Sequence, residues 1–222
     1  MSRKAVIALV VIALIAAAGI AWHVMNKSGT SAEGAMAAVT NDRYGITARD
    51  MTQGDAKAKA VVIEYAAPIC PHCAHFNATV MPLLKKNYID TGKVLYVFRV
   101  FPLAAADGVA EKLGRCLPRA KYFPFMDQLF ANQSKWDPEF GITDVRGGLL
   151  EQAKAQGMSE DQFNACLADT KEDAAINKVA ADGQTKYNID HTPTIIVNGT
   201  VQDGAAEWDK LKATLDMALS GK

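Results

Sequence analysis

The sequence predicts an α/β fold in which strand-forming runs enclose a long all-helical segment. Two β-branched apolar runs, 60–67 and 93–101, flank a stretch with helical apolar spacing, and a further run follows at 192–201. Between about 103 and 187 the recurring apolar positions have helical spacing instead. The length of 222 residues suits one domain of moderate size or one domain with a large insertion.

An apolar run near the N-terminus predicts a membrane-spanning helix. Residues 5–25 are interrupted only by His23, and as a helix they would measure about 31 Å, which is enough to cross a bilayer. Arg3 and Lys4 precede the run, so the positive-inside rule places the N-terminus in the cytoplasm. We expect an uncleaved signal anchor over 1–25, with a cleaved signal peptide or a buried core helix as the alternatives.

This anchor would hold the rest of the chain outside the cytoplasm. The small and polar segment 26–41 is typical of a flexible linker. Disulfides persist in an oxidising extracytoplasmic space, and the even number of four cysteines is consistent with that compartment.

The charge distribution argues against a nucleic acid partner. Residues 1–28 contain three basic and no acidic side chains, so the remaining 194 residues carry 21 basic and 24 acidic side chains and a net charge of −3. Domains that bind nucleic acid are usually basic, and we expect no such partner here.

The first part of the folded region, 42–102, is predicted to form a βαβ unit. The strand "AVVIEYAA" is apolar except for Glu64, and "KVLYVFRVF" forms the second strand. The helix between them extends over 72–89, where Pro82 should kink the helix without ending it.

The predicted helical insertion, 103–187, contains several helices whose ends carry capping residues. Thr143 and Gly157 bracket one helix as its N-cap and its C-terminal glycine. Ser159 begins the next helix with a capping box, and Thr170 is expected to cap the last one.

The last part of the chain, 188–222, returns to strand patterns. A type I′ turn at Asn198-Gly199 is predicted to join two strands within 192–201. An amphipathic helix over 205–219 then completes the fold.

Two cysteines, Cys70 and Cys73, stand where the first strand ends and the helix begins. A zinc site would have to use them with His72 and His75, and four ligands within six residues do not easily close a tetrahedron, so we expect no metal. Haem attachment requires a histidine directly after the second cysteine, where this chain has Ala74. A purely structural disulfide across two residues would remove little chain entropy, although it stays an alternative.

Redox chemistry accounts best for this pair. At a helix start the unpaired backbone N–H groups and the positive end of the macrodipole stabilise a thiolate, here at Cys70. Pro71 suits the first turn because it supplies no N–H, and His72 can place a cation or a donor beside the sulfur. Cys73, one turn into the helix, should be more buried and should attack a mixed disulfide formed at Cys70.

The order and spacing of these features resemble the DsbA-like thiol–disulfide oxidoreductases. Glu64 stands six residues before the "CPHC" motif, the helical insertion follows, and "TPT" at 192–194 precedes a strand and an "NG" turn. The resemblance covers roughly 42–222. It implies a thioredoxin-like fold that is interrupted by the helical domain and here preceded by a transmembrane helix, with a redox-active disulfide and no bound cofactor.

The resemblance also assigns roles to single residues. Cys70 would be the exposed nucleophile and Cys73 the resolving thiol. Thr192-Pro193 would form a cis-proline loop that packs against the active site and offers backbone hydrogen bonds to a substrate peptide. Glu64 matches the buried acid of the family, with a raised pKa and proton exchange with Cys73, although an edge-strand glutamate that faces water is the alternative.

Two positions depart from the family pattern. Relatives often have a glycine where this chain has His191, and an acidic residue where it has Val100. His191 would lie close to Cys70 and either tune that thiol or face solvent.

Cys116 and Cys166 lie 50 residues apart within the helical insertion, each on an apolar helix face. In an oxidising compartment we expect them to form a structural disulfide, with two free buried cysteines as the alternative. A subset of the DsbA-like proteins that the chain resembles has such a second bond.

The leading expectation is a membrane-tethered periplasmic oxidase that passes its Cys70–Cys73 disulfide to reduced, unfolded or partly folded secreted proteins. The resemblance implies reoxidation by a DsbB-like membrane protein, and residues 5–25 imply contact with the inner membrane. A cleaved signal would give a soluble periplasmic protein instead. The alternatives in function are a disulfide isomerase or reductase of the same fold, and a peptide-binding chaperone with an incidental disulfide.

Overall fold

The structure, a computed structural model, describes residues 43–221. The predicted anchor at 1–25 and the linker at 26–41 therefore lie outside the described residues. Within 43–221 none of the helices combines the length and the apolar composition that crossing a membrane requires.

The described chain alternates strands and helices in the order that the sequence predicts, with strands at both ends and helices between. The strands are β1 (Met51–Gln53), β2 (Ala60–Ala66), β3 (Val94–Val100), β4 (Thr194–Val197) and β5 (Thr200–Val201). The α-helices are α1 (Pro71–Thr79), α2 (Met81–Leu84), α3 (Ala105–Cys116), α4 (Tyr122–Ala131), α5 (Val145–Ala155), α6 (Glu160–Leu167), α7 (Thr170–Tyr187) and α8 (Trp208–Ser220). Shorter helical turns are the π-helical Lys85–Ile89 and the 3-10 turns Arg43–Gly45, Arg119–Lys121, Gln133–Lys135 and Pro138–Phe140.

The strands form one sheet in the order β1-β3-β2-β4-β5. β2 is the central strand; it pairs in parallel with β3 and antiparallel with β4. The parallel pair is the predicted βαβ unit. Sequence analysis missed β1, because three residues are too few to show a period, although Met51 pairs with Phe98 of β3.

The side chains of β2 alternate between two apolar layers. Val62 and Ala66 belong to the layer that also contains Cys73 and Phe76 of α1. Glu64 lies between those two β2 residues on the same face, so its side chain enters the layer beneath the cysteine pair. At 2% exposure it is buried, which excludes the alternative of a glutamate facing water.

The opposite face of the sheet packs against α7. Val61, Ile63 and Tyr65 of β2 contribute to this second layer. Gly183 of α7 comes so close that a Cβ atom there would lie 2.5 Å from the ring of Tyr65. A glycine is thus required in the middle of this helix, despite its low helix propensity.

The helix after β2 is divided into two at Val80, where sequence analysis expects Pro82 to kink one helix without ending it; Val80 keeps a right-handed helical backbone, with φ −98° and ψ −45°. α1 ends at Thr79 and α2 begins at Met81, with Val80 between them. Pro82 has no N–H, so the regular helical bond to a carbonyl four residues earlier is lost at this point.

Two predicted helix caps are wrong by one residue. Asp144, not Thr143, caps α5 and accepts the N–H of Gly147 at 2.8 Å. Asp169, not Thr170, caps α7 through the N–H groups at its start. Aspartate and threonine both serve as N-caps, and where they are adjacent the aspartate carboxylate is the better acceptor.

Other local predictions are confirmed. Ser159 and Gln162 form the reciprocal capping box of α6. Asn198 and Gly199 both have positive φ angles, 49° and 84°, as a type I′ turn requires. The division into domains at 102/103 and 187/188 stays a prediction.

A disulfide joins Cys116, at the end of α3, to Cys166 in α6, with an S–S distance of 2.09 Å and a Cα–Cα distance of 6.1 Å. Lys112 of α3 adds an ion pair with Asp173 of α7 at 2.5 Å. The disulfide thus connects α3 to α6, and the ion pair connects α3 to α7.

We predict that the Cys116→Ala/Cys166→Ala variant unfolds at lower denaturant concentration than the wild type. Opening a loop of this length should reduce the free energy of unfolding by up to about 4 kcal/mol in the chain-entropy model. The control is the Cys70→Ala/Cys73→Ala variant, whose remaining cysteines form the bond under test. Reducing this variant with dithiothreitol should lower its free energy of unfolding by a similar amount. If dithiothreitol leaves the denaturation midpoint of this variant unchanged, the bond does not stabilise the fold.

Candidate active site

Cys70 occupies the N-cap of α1, directly after the loop that follows the central strand. Its backbone is extended, with φ −70° and ψ 120°. Pro71 is the first helical residue, where the absence of an N–H costs no helical hydrogen bond. The sequence predicted Cys70 in the first turn; the structure places it one residue earlier, which still directs its sulfur to the free N–H groups of that turn.

The Thr192-Pro193 peptide bond is cis, and it lies beside Cys70. The Cys70 thiol donates a hydrogen bond to the Thr192 carbonyl, with 3.4 Å between Sγ and O. The fold therefore brings together two segments that are 122 residues apart. The buried Thr192 hydroxyl has no partner among the described residues while Cys70 is a thiol, and it donates to the sulfur when Cys70 is ionised.

The surroundings of Cys70 favour its thiolate. The pKa of Cys70 is lowered to about 5, chiefly by hydrogen bonding to the Cys73 side chain. Burial raises this pKa and so opposes the shift. Hydrogen bonds from Thr192 and from the backbone N–H groups of Cys73 and His72 lower it further. These donors are the free groups of the first helical turn. At neutral pH Cys70 is thus largely ionised.

The surroundings of Cys73 favour its thiol. Its side chain is completely buried. Burial raises the pKa of Cys73 far above the ordinary value, the hydrogen bond to Cys70 raises it further, and the negative charges of Glu64 and Cys70 add to the effect. The two sulfur atoms thus differ strongly in their tendency to carry a negative charge.

Glu64 lies in the same apolar layer and is held by Tyr96 of β3. The Tyr96 hydroxyl donates to the Glu64 carboxylate at 2.6 Å. Burial raises the pKa of Glu64 to about 8; the Tyr96 bond opposes the rise, and the negative charges of Cys70 and Asp127 reinforce it. At neutral pH the Glu64 carboxyl therefore holds a proton. Sequence reasoning missed Tyr96, because nothing in the sequence states the register of β3 against β2.

The two predicted histidines are exposed. For His72 the structure assigns the interaction with Cys70 to the backbone N–H. The His191 side chain is 67% exposed, and its Nδ1 lies 2.7 Å from Oδ1 of Asp190. The expected tuning of Cys70 by the His191 imidazole therefore stays a prediction. Over 43–221 no three histidine, cysteine or acidic side chains cluster as metal ligands would.

Two side chains of the helical segment also reach the active-site loop, and sequence reasoning missed both. The Asp107 carboxylate accepts the N–H of Ile69, and the Gln133 side chain donates to the carbonyl of Cys70. Burial raises the pKa of Asp107 to about 6, against the hydrogen bonds from Ile69, Ala104 and Leu103. An acid in the first turn of α3 was visible in the sequence, but as an ordinary helix-start residue.

Comparison with protein families and curated proteins agrees with this geometry. A family model described as Thioredoxin matches residues 47–217. A Rickettsia bellii protein, provisionally named a protein-disulfide oxidoreductase, is 33% identical over 179 residues, which cover 79% of this chain and 67% of that protein. The chain spans 60–67% of the length of the rickettsial relatives.

Solved structures show the same likeness. The crystal structure of Wolbachia pipientis alpha-DsbA1 has 30% sequence identity and a TM-score of 0.71, covering 78% of this chain and 92% of that one. Oxidised BdbD from Bacillus subtilis has 26% identity and a TM-score of 0.68, covering 78% of this chain and 94% of that one.

We predict that Glu64→Gln stabilises the reduced protein, and more so as pH rises. The folded-state pKa of about 8 lies above the ordinary value of 4.5, so between those values Glu64 ionises in the unfolded chain but stays protonated in the folded protein, and the wild type loses stability as pH rises. Glutamine cannot ionise, so the difference in free energy of unfolding should grow over this interval and level off above pH 8, at about 5 kcal/mol by this linkage.

Urea denaturation at several pH values measures this difference. The control is Glu151→Gln, because Glu151 is an exposed glutamate on α5 with 71% side-chain exposure. A Glu64→Gln effect that stays constant between pH 5 and 8, like that of the control, would contradict the buried, protonated carboxyl.

Proposed function

The chain belongs to the DsbA-like thiol–disulfide oxidoreductases of the thioredoxin family, and from that premise we propose that it is an oxidase, which donates its Cys70–Cys73 disulfide to folding extracytoplasmic proteins. The observation that carries this direction is the opposite ionisation of the two sulfurs. Stabilisation of one thiolate favours the reduced form of a cysteine pair, so the oxidised pair readily transfers its disulfide to another protein.

The size of this preference follows from the Cys70 pKa of about 5. At pH 7 the reduced form is stabilised only by the part of the pKa shift that lies below pH 7, which is about two pKa units. This part changes the equilibrium between the reduced and oxidised pair by a factor of about 100. For a two-electron couple this factor corresponds to up to about 60 mV toward a more oxidising disulfide. The effect moves the reduction potential of the pair away from that of thioredoxin and toward the oxidising end of the range.

The proposed transfer takes two exchange steps. A substrate thiolate attacks Sγ of Cys70; a bond forms between the two sulfurs, the Cys70–Cys73 bond breaks, and Cys73 leaves with the electron pair. A second substrate thiolate then attacks the substrate sulfur of this mixed disulfide, and Cys70 leaves as the stabilised thiolate. The substrate loses two electrons and two protons, and the enzyme holds the electrons as one thiol and one thiolate.

Glu64 supplies the proton that the first step requires. Cys73 leaves as a thiolate in an environment that disfavours its negative charge, since burial raises its pKa. A protonated Glu64 in the same layer can transfer its proton to that sulfur. Tyr96 keeps the carboxyl in place through its 2.6 Å hydrogen bond.

The Thr192-Pro193 loop offers the binding surface for the substrate. Both residues are buried at the edge of the site, and Thr192 already accepts a hydrogen bond from the Cys70 thiol. Backbone groups beside the nucleophile would pair with an extended substrate segment, which gives affinity with little dependence on sequence. Reduced, unfolded or partly folded secreted proteins are substrates of this kind.

The cellular setting is also part of the proposal. The Cys116–Cys166 disulfide supports an oxidising, extracytoplasmic compartment, the periplasm. We propose that residues 5–25 tether the protein to the inner membrane, with a soluble periplasmic form after signal cleavage as the alternative. Each turnover leaves the enzyme reduced, so a DsbB-like membrane protein or an equivalent oxidant must restore the disulfide.

We predict that Cys73→Ser traps substrates and that Cys70→Ser does not. The Cys73→Ser variant is first converted at Cys70 to its mixed disulfide with glutathione and is then added to a reduced client that has a single cysteine. The client thiolate displaces glutathione, and neither Cys73 nor a second client thiol is present to resolve the new bond, so the adduct should accumulate on non-reducing gels. In a separate assay without glutathione, the oxidised wild type should oxidise a client with two cysteines, and both variants, which cannot form the Cys70–Cys73 disulfide, should fail to do so.

Two outcomes would contradict the proposal. A Cys70→Ser variant with full activity in a client-folding assay would indicate a chaperone with an incidental cysteine pair. A wild type that rearranges scrambled disulfides but does not oxidise a reduced client would indicate an isomerase of the same fold.

A further inference from the structure

Three backbone groups of the segment Pro68–Cys70, between β2 and α1, are hydrogen-bonded by side chains of the helical insertion. The remaining bonds of Cys70 are local: its N–H donates to Ala67, and its carbonyl also accepts from Ala74. Pairing of β2 with β3 ends at Ala66, so no strand supplies partners beyond that residue. All three residues of the segment are buried. A buried backbone group without a partner costs about 1–3 kcal/mol, so these groups need hydrogen bonds from elsewhere.

Gln133 supplies two of these bonds. Its Nε2 donates to the Pro68 carbonyl at 2.8 Å and to the Cys70 carbonyl at 3.1 Å. Gln133 is itself buried and begins the short turn Gln133–Lys135 after α4. One amide group thus spans both ends of the segment.

Asp107 supplies the third bond. Its Oδ1 accepts the N–H of Ile69 at 2.8 Å, and its Oδ2 accepts the N–H groups of Leu103 and Ala104 at 2.9 and 3.0 Å. The carboxylate is fully buried at the start of α3. The same side chain therefore fixes the first turn of α3 and the residue just before the nucleophile.

We propose, on the basis of the function above, that Asp107 and Gln133 are positioning residues that hold Cys70 in the orientation in which its sulfur meets the N–H groups at the start of α1. They do not touch the sulfur; they act through the backbone of 68–70. The helical insertion thereby takes part in the chemistry of Cys70.

The physical reason is that hydrogen bonds to a thiolate are directional. The backbone N–H groups of His72 and Cys73 contribute to the stabilisation of the ionised sulfur. The Cys70 carbonyl also accepts the N–H of Ala74 at 3.0 Å, so the groups that depend on the insertion are the carbonyl of Pro68 and the N–H of Ile69. If these two groups lose their partners, the segment can rotate, and the sulfur leaves its N–H donors for part of the time. The thiolate then becomes less stable relative to the thiol.

Gln133→Met tests the proposal without changing any charge. We expect the pKa of Cys70 to rise by about one unit, a tenfold change in its ionisation constant, because the thiolate loses its N–H donors for part of the time. The measurement is the pH dependence of alkylation at Cys70 in the reduced full-length protein, which needs no substrate.

The matched control is Gln152→Met. Gln152 is another buried glutamine of the insertion, and its Oε1 accepts a hydrogen bond from Gln128 at 2.8 Å, away from the 68–70 segment. It should lose stability without moving the pKa of Cys70. Equal pKa values in wild type, Gln133→Met and Gln152→Met would overturn the positioning role of Gln133.

Asp107→Leu provides an independent test and carries the proposal if Gln133→Met does not fold, because leucine has neither of the oxygens that accept the N–H groups of Ile69, Leu103 and Ala104. Loss of positioning raises the pKa of Cys70, whereas loss of a nearby negative charge alone would lower it, so the sign separates the two effects. Asp144→Leu, which also removes a helix-start carboxylate, is the control and should leave the Cys70 pKa unchanged. An Asp107→Leu variant with a lowered or unchanged Cys70 pKa would overturn the role of Asp107.

These results are separable from the proposed function. The Cys70 pKa can differ between Gln133→Met and Gln152→Met even if the wild type does not act as an oxidase. Conversely, the protein can be an active oxidase without any difference in Cys70 pKa between these variants. The positioning role therefore stands or falls on the Cys70 pKa alone.

Discussion

Hydrogen bonding of the Cys70 sulfur to Cys73 and to the N–H groups at the start of α1 gives different chemistry to two cysteines that are three positions apart. Cys70 lies at the N-cap, just outside the helix, and receives these bonds, so its pKa falls to about 5. Cys73 lies inside the helix, within the apolar layer, and burial raises its pKa. The central strand, the cis Thr192-Pro193 bond and the helical insertion all serve to keep one sulfur at the helix end and the other beneath it.

The same arrangement places ionisable groups where water cannot solvate them. Glu64 and Asp107 both have pKa values raised by burial, and each is held by hydrogen bonds from neighbouring elements. Buried carboxyls reduce stability at neutral pH, so the fold must offset that cost elsewhere. The Cys116–Cys166 bond contributes to this on the insertion side, where it holds the end of α3, the helix from which Asp107 reaches the active-site loop.

Much of the fold was accessible from the sequence because it depends on local patterns. The period-2 and period-3.6 runs located the sheet strands β2 to β5 and most helices, and the helix start after a strand explained why Cys70 should ionise. The partners Tyr96, Asp107 and Gln133 were not accessible, since they depend on strand register and on how the insertion folds back. The cap residues Asp144 and Asp169 were missed for a smaller reason: each is adjacent to an equally plausible threonine.

The reduction potential of the Cys70–Cys73 pair tests the central claim most directly. It follows from equilibration of the protein with a glutathione redox buffer and quantification of the oxidised fraction. A Cys70 thiolate that contributes up to about 60 mV predicts a value near −210 mV, since thioredoxin lies near −270 mV. A value near −270 mV would contradict the account, because the difference between the two sulfurs would then have no effect on which way the disulfide moves.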